Sequence, residues 1–265
     1  MKISIIGAGN IGGAIARGLS QGSLVSAKNI SISDINEKNL QAIQSFNPDF
    51  TCLQSNRECV AGADIVILAV KPWLVETVAH EIADSIDYSR QIVLSIAAGV
   101  SLEKLQTLFP DKDGEVVTLF RVIPNTAIDA LESFSCISSW NAADKQEKLI
   151  VSIFNEMGKA MLVPETQLNA LMSLSSCGIA YAFRYIRAAM EGGVEMGISP
   201  NVAKDVVLQT LKGAVALLEA NGTHPEVEID KVTTPGGIAI KGLNEMDKAG
   251  FNSAVIRGLK ASYLN

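Results

Sequence analysis

Apolar residues recur along this chain in two different rhythms. From Met1 to about Pro164, short runs rich in β-branched residues alternate with segments of helical spacing: Lys2–Ile6, Asn29–Ser33, Ile65–Val70, Gln91–Ile96 and Val116–Val122. That alternation predicts parallel strands joined by crossover helices. The run Asp64-Ile65-Val66-Ile67-Leu68-Ala69-Val70 is apolar almost throughout, which suits a strand covered on both faces. Beyond Pro164 the period lengthens, and Leu168–Gly193, Asn201–Glu219, Gly236–Ala249 and Asn252–Leu264 predict helices without strands. Gly192-Gly193 and Asn221-Gly222 punctuate this half, Gly250 suits the position just past a helix end, and Asn252 suits the cap of the next helix. The two textures divide the chain into an expected sheet domain, residues 1–163, and an all-helical domain, residues 164–265. Apolar helices that lack a large partner domain must cover their faces somewhere. A second copy of the chain is the simplest cover, so a homodimer is expected.

Composition narrows the function classes. With 265 residues, 48% hydrophobic and 19% charged, the chain has the material for a packed interior and too little charge for disorder. A net charge of -6 with scattered Lys and Arg offers no positive field to a phosphate backbone, so no nucleic-acid partner is expected. Cys52, Cys59, Cys136 and Cys177 form no CxxC pair; buried free thiols in a reducing cytosol are expected, with no metal site. Lys2 before Ile3-Ser4-Ile5-Ile6 imitates a signal peptide, but Gly7 and Gly9 end the run short of the ~7–15 apolar residues such a region needs. No stretch reaches the ~18 uninterrupted apolar residues of a membrane span, and the most apolar helical stretch carries Arg184 and Arg187. A soluble, cytoplasmic protein without a membrane partner is expected.

Gly7-Ala8-Gly9-Asn10-Ile11-Gly12 reads GxGxxG directly after one expected strand and opens a helix through Ala14–Leu19. In that context the first glycine permits a tight turn, the second lets the backbone approach a pyrophosphate, and the third lets helix pack on strand. The helix N-terminus then faces the phosphates. Asp34 ends the next strand 34 − 12 = 22 positions past Gly12, where an acid commonly takes the ribose hydroxyl of NAD(H) and repels a 2′-phosphate. Aspartate is also a good turn residue, and Asn36 and Glu37 continue the turn chemistry. The cofactor is therefore expected to be NADH or NADPH, with a lean to NADH. Further strands deliver Ala69-Val70-Lys71-Pro72 and Ser95-Ile96-Ala97-Ala98-Gly99-Val100 at their carboxyl ends, where doubly wound sheets bind ligands and where small residues leave room for a ring. Lys71 alone reads equally as a solvated surface lysine.

Late in the chain, Thr233-Thr234-Pro235-Gly236-Gly237 precedes an expected helix. Thr234 suits a cap and Pro235 the first helical position, leaving amides near Gly236 and Gly237 bare. An anion pocket and a plain capping motif fit this spacing equally well.

GAGNIGGAIARGL at Gly7–Leu19, AVKP at Ala69–Pro72, SIAAGVSLEKL at Ser95–Leu105, RVIPNTA at Arg121–Ala127 and VTTPGGIAIKGL at Val232–Leu243 together resemble the pyrroline-5-carboxylate reductase family, in its order and spacing. The resemblance spans nearly the whole chain. It implies an α/β chain whose N-terminal Rossmann-type doubly wound sheet is followed by an all-helical C-terminal dimerisation domain, sometimes assembled into a decamer. It implies NAD(P)H-dependent reduction of 1-pyrroline-5-carboxylate, a cyclic imino acid, to proline, the last step of proline biosynthesis. By resemblance, Asn56 in SNRECV touches the cofactor ribose and the nicotinamide lies near Ala97-Ala98-Gly99. The substrate carboxylate lies at Thr234–Gly237, so Thr234, Gly236 and Gly237, with Asn125 of RVIPNTA, carry the catalytic part of the site. Reduction of a protonated imine needs little acid catalysis, so positioning supplies most of the rate; His80 and His224 read as surface or capping residues.

The chain departs from the family in its substrate half. Ile238 and Ala239 follow Pro235-Gly236-Gly237, where the family usually has two polar or small residues, the second a threonine whose hydroxyl meets the substrate ring nitrogen. The family's Gly-Ser-Gly-Pro-Ala-Tyr reads Ser176-Cys177-Gly178-Ile179-Ala180-Tyr181, and Arg187 replaces a glutamate. A reductase of another imine, or a non-catalytic dinucleotide-binding paralogue, are the alternatives these changes favour. A β-hydroxyacid-type dehydrogenase also joins a Rossmann domain to helices. That family, however, relies on a lysine in its long interdomain helix, and Ala170–Gly193 contains none.

Overall fold

The structure, a computed structural model, describes residues 1–263. It divides into two units, Met1–Ser176 and Cys177–Ser262. The first holds β1 (Ile3–Ile6), α1 (Asn10–Gln21), β2 (Ile30–Ser33), α2 (Glu37–Phe46), β3 (Thr51–Leu53), α3 (Asn56–Val60), β4 (Ile65–Leu68) and α4 (Val75–Ile82). It continues with β5 (Ile92–Ser95), α5 (Leu102–Leu108), β6 (Thr118–Ile123), β7 (Ser133–Trp140), α6 (Asp144–Asn155), β8 (Gly158–Leu162) and α7 (Glu165–Met172).

These strands form one sheet in the order β3-β2-β1-β4-β5-β6-β7-β8, parallel except where β7 runs against β6. The order reverses between β1 and β4, and the crevice beyond their carboxyl ends is where doubly wound sheets hold ligands. All five expected strands are present; four are shortened by a residue or two at one or both ends, and β6 starts two residues later than expected and ends one residue later. β1 and β4 are buried along their whole length. Ile5, Ile32, Ile67 and Leu94 face Ile15, Leu19 and Phe154 on one side. Val66, Leu68 and Val93 face Val78, Ile82 and Leu105 on the other. Three strands were not expected. β3 has only three residues, and β8 is an edge strand with exposed side chains. β7, Ser-Phe-Ser-Cys-Ile-Ser-Ser-Trp, hides behind its serines, of which Ser133, Ser135 and Ser138 are buried. Their hydroxyls are matched internally: Ser138 donates to the Val163 carbonyl at 2.6 Å and Ser133 accepts from the Asn125 N–H at 3.1 Å.

The two compact units divide after Ser176. α7 packs on β7 and buries Leu168 and Met172 with Ile123 and Cys136, so its apolar face belongs to the sheet. A π-helical turn, Ser173–Cys177, then leads into α8 (Gly178–Glu195). Gly192-Gly193 does not end that helix; the chain turns at Gly197, φ +88°. Gly193 instead lets α8 meet α9 (Pro200–Asn221), since a Cβ there would lie 3.1 Å from the Ala203 Cβ. Gly222 ends α9 in the left-handed region.

The unexpected short helix α10 (Pro225–Val232) is capped by His224, whose Nδ1 accepts from the Glu226 N–H at 3.3 Å. Its Glu228 carboxylate accepts from Thr223, Asn221 and Lys231. α11 (Ile238–Lys248) and α12 (Phe251–Ala261) follow, separated by Gly250 at φ +82°. Asn252 does not cap α12; it lies inside it and donates to the Asp247 carboxylate at 3.2 Å. The expected end of this helix at Leu264 lies outside the described residues. Among the described residues of this second unit only Ala203 is buried, while Phe183, Met196, Val206, Val232 and Ile238 are all more than half exposed.

Candidate functional site

The β1–α1 turn has the geometry its glycines predict. Gly7 sits at φ +104°, and a Cβ there would press on the Ala69 carbonyl oxygen at 2.6 Å. A Cβ on Gly12 would land on the Gly7 carbonyl oxygen. A Cβ on Gly9 would meet nothing within 4 Å, so the turn is closed behind and open in front. Gly9 caps α1 with no side-chain acceptor, and no acid stands in the first turn. The leading N–H groups of Asn10, Ile11 and Gly12 therefore lack the usual cap, and the helix dipole favours an anion over that open face. An uncapped helix end with room above the second glycine fits a pyrophosphate.

Asp34 reaches into this turn. Its Oδ2 accepts from the Ala8 N–H at 2.7 Å and from Asn39 Nδ2 at 3.1 Å, and its Oδ1 accepts from the Asn36 N–H at 2.7 Å. The carboxylate is thus both a turn residue and a brace on the glycine-rich turn after β1, a role that spacing alone does not reveal. Beside it, Ser33 donates to Asn56 Oδ1 at 2.8 Å, and Asn56 Nδ2 donates to Glu81 at 2.8 Å. Asn56 opens α3, capped by Ser55. Asp34 and Asn56 are therefore gathered at the carboxyl end of β2.

Past β4, the Ala69 N–H donates to the Ile6 carbonyl at 2.8 Å, which holds Ala69 and Val70 behind Gly7. Lys71 is exposed and precedes a single 3-10 turn that opens with Pro72. Past β5, the Ala97 N–H donates to Ser95 Oγ at 3.3 Å, Gly99 takes φ +79°, and Ala98 and Gly99 are exposed. Past β6, Asn125 caps a 3-10 turn, Thr126–Ala130, by accepting from the Ala127 N–H at 3.0 Å. Asn125 Nδ2 donates to the Ser175 carbonyl at 3.5 Å, and Ser176 Oγ donates to the Pro124 carbonyl at 2.8 Å. The RVIPNTA segment is so tied to the π-helical turn. Expected site residues from five separate strand ends, those of β1, β2, β4, β5 and β6, thus share the carboxyl edge of one sheet. Sequence reasoning missed Glu165, which accepts from the Leu102 N–H and from Arg121. The available signal was a charged residue inside the apolar run Thr118-Leu119-Phe120-Arg121-Val122-Ile123.

Thr233–Gly237 lies in the second unit. Thr234 does not cap a helix and Pro235 does not begin one. Pro235 and Gly236 are the central residues of a turn closed by the Gly237 N–H donating to the Thr234 carbonyl at 2.9 Å, with Gly236 at φ +72°. Those are the positions a type II turn gives to proline and glycine. The Gly237 amide is therefore occupied rather than bare, and Gly237 itself caps α11 without a side-chain acceptor or an acid in the first turn. The anion-accepting end moves one step along the chain, to the leading amides of Ile238, Ala239 and Ile240.

Burial pushes the Cys59 and Cys136 thiols up, which keeps them protonated and unreactive; Cys52 and Cys177 are only half-buried. His80 is exposed at the end of α4. No helix among the described residues is long and apolar enough to cross a membrane.

Two family models match the chain. One, described as pyrroline-5-carboxylate reductase dimerisation, covers residues 165–265; the other, NADP oxidoreductase coenzyme F420-dependent, covers residues 2–99. Pyrroline-5-carboxylate reductase 1 of Dictyostelium discoideum is 35% identical over 98% of this chain, which spans only 48% of that relative's length. Pyrroline-5-carboxylate reductase of Methanosarcina acetivorans is also 35% identical, over 98% of this chain and 96% of its own. The crystal structure of a Plasmodium falciparum pyrroline carboxylate reductase with NADP bound superposes with a TM-score of 0.89 at 26% identity, covering 99% of this chain and 95% of that one.

Proposed function

Since the chain belongs to the pyrroline-5-carboxylate reductase family, we propose that it reduces the carbon–nitrogen double bond of 1-pyrroline-5-carboxylate to give proline. The uncapped end of α1, open above Gly9 and braced by Asp34, carries this reading. Gly7, Ala8, Gly9, Asn10, Ile11 and Gly12 hold the pyrophosphate of a nicotinamide dinucleotide, with Asp34 and Asn56 on the adenosine side. Ala69–Pro72 and Ala97–Gly99 line its other half. The dinucleotide, when bound, supplies the hydride. The chain's own part is to bind, orient and exclude water.

The substrate carboxylate is taken by the amino end of α11 together with Thr234, Gly236 and Gly237; Asn125, in the first unit, is given a catalytic role by the family resemblance alone. The imine nitrogen enters protonated. The electron pair arriving at carbon therefore releases the C=N π pair to nitrogen, and the product leaves as the neutral amine before proton uptake from water. No side chain needs to act as a strong acid, and geometry supplies most of the rate. The preferred cofactor is NADH, because a 2′-phosphate would face the Asp34 carboxylate. The working form is a homodimer joined through the second unit, whose apolar side chains are otherwise bare; a decamer is a larger assembly of such dimers.

Turnover of 1-pyrroline-5-carboxylate with NADH and NADPH in parallel tests the assignment. Proline formation, with the higher kcat/KM for NADH, is expected. Dinucleotide binding without turnover would replace it with the binding-paralogue reading.

A further inference from the structure

We propose that Arg121 and Glu165 are positioning residues for hydride transfer. Together they fix the loop between β5 and α5 on which the nicotinamide is placed, so the inference rests on the cofactor reading above.

Arg121 is the only charged side chain buried among the described residues, 4% exposed. It sits inside the sheet, cross-strand from Ser95 of β5 and Ser138 of β7. Its Nη1 donates to Glu165 Oε1 at 3.0 Å and its Nη2 to Asn169 Oδ1 at 3.3 Å, one turn further along α7. The same Glu165 oxygen accepts from the Leu102 N–H at 2.8 Å. Leu102 is the first residue of α5, so this bond anchors the far end of the loop Ile96–Ser101 to α7. The near end is anchored by Ser95, which faces Arg121 across the strands and takes the Ala97 N–H. Between those anchors lie the exposed Ala98 and the left-handed Gly99, with a bond from the Val100 N–H to the Ala97 carbonyl at 3.4 Å; the Ile96 N–H is held by the Leu68 carbonyl at 3.1 Å, and Ser101 caps α5. The ion pair, buried on its Arg121 side, is what ties the far end of the loop to α7.

Stability alone does not account for this arrangement. A buried guanidinium is costly to desolvate, and apolar replacements of similar volume often serve a core equally well. Here the cost is not fully met, because Arg121 Nε is buried without a hydrogen-bond partner among the described residues. What the guanidinium does that an aliphatic side chain cannot is hold the Glu165 carboxylate oriented toward the Leu102 N–H, 63 positions upstream of Glu165 in the chain. Small displacements of a loop beneath a reacting ring change rate far more than affinity.

The test uses the full chain with Glu165→Ala and Glu165→Gln. Glutamine keeps an oxygen for both donors; alanine keeps none. Glu165→Gln should stay within about threefold of wild-type kcat, and Glu165→Ala should lose about ten- to a hundredfold in kcat with a small change in KM for the imine. Binding is read separately by titration. Glu165→Ala should bind the whole dinucleotide several-fold more weakly yet bind ADP-ribose, which lacks the nicotinamide, like wild type. If the alanine variant does not accumulate folded, Glu165→Asp, which keeps charge and shortens reach, should show the same split. Unchanged kcat in these variants, or parallel losses for dinucleotide and ADP-ribose, would overturn the positioning role while leaving the reductase reading intact. A wild-type chain that binds neither ligand would overturn both.

Discussion

The Ala8 N–H donates to Asp34 Oδ2 at 2.7 Å, across 26 residues of sequence. One carboxylate thereby shapes the glycine-rich turn and, in the proposed complex, faces the adenosine ribose. Asp34→Ala should lower NADH affinity through both effects and raise the NADPH/NADH ratio of kcat/KM, because repulsion of a 2′-phosphate goes with the charge. Asp34→Asn keeps one acceptor oxygen, enough for the Ala8 N–H though not also for that of Asn36, and should raise the ratio with less loss of NADH binding than alanine. An unchanged ratio in both variants would leave Asp34 as a structural brace alone.

Gly9 and Gly12 should separate binding from folding. A side chain on Gly9 meets no protein atom, so Gly9→Val should melt near the wild-type temperature and bind no dinucleotide. On Gly12 the new Cβ strikes the Gly7 carbonyl, and overpacking of that kind costs roughly 1–3 kcal/mol. Gly12→Ala should therefore lower Tm by several degrees. Differential scanning fluorimetry with and without NADH reads both; tight NADH binding by Gly9→Val would refute the phosphate loop.

Ala239 is the second residue of α11, where the family resemblance places a threonine. Ala239→Thr should improve kcat/KM for 1-pyrroline-5-carboxylate by up to about tenfold, equivalent to ~1.4 kcal/mol, without moving cofactor affinity. Thr234→Val should raise KM for the imino acid with little loss of stability, since Thr234 does not cap the helix. No gain in the first and no effect in the second would remove Thr234–Gly237 from the substrate site.

Lys231 and Thr223 hold the Glu228 carboxyl down from its ordinary 4.5 to about 2. A folded-state pKa below the unfolded one contributes stability above pH 4.5 that is lost as pH falls toward 2. The wild type should therefore exceed Glu228→Gln in urea midpoint at pH 6 and converge with it on acidification. The group is solvent-facing, so the difference should be small and shrink with salt. A gap that persists to pH 2 would exclude the carboxylate as its source.

What could be read from the sequence followed from how each element is held. Ile3–Ile6 and Ile65–Leu68 are covered on both faces, so their apolar runs announce them. β7 is covered too, but its buried serines find hydrogen-bond partners instead of apolar ones, and the run resembles a loop. Its antiparallel sense follows from the nine residues between Ile123 and Ser133, too few for a crossover helix. GxGxxG disclosed the tight turn between β1 and α1 because Gly7 and Gly12 each answer a local steric need. The Asp34–Ala8 bond and the Arg121–Glu165–Leu102 chain were hidden, because both join positions that only the sheet brings together. At Thr234 the residue types suited a cap equally well, and the turn prevailed because Pro235 and Gly236 already occupy its two central positions.

The bareness of Cys177–Ser262, with Ala203 its one buried side chain among the described residues, bears on inheritance. Helices that complete their interior only against another copy fold and associate in one event, so the folded fraction rises with the chain's own abundance. In a cell carrying two alleles, a copy ruined at Gly9 but intact from α8 to α12 would still be recruited. In the proposed homodimer each such mixed pair would hold one dinucleotide site in place of two.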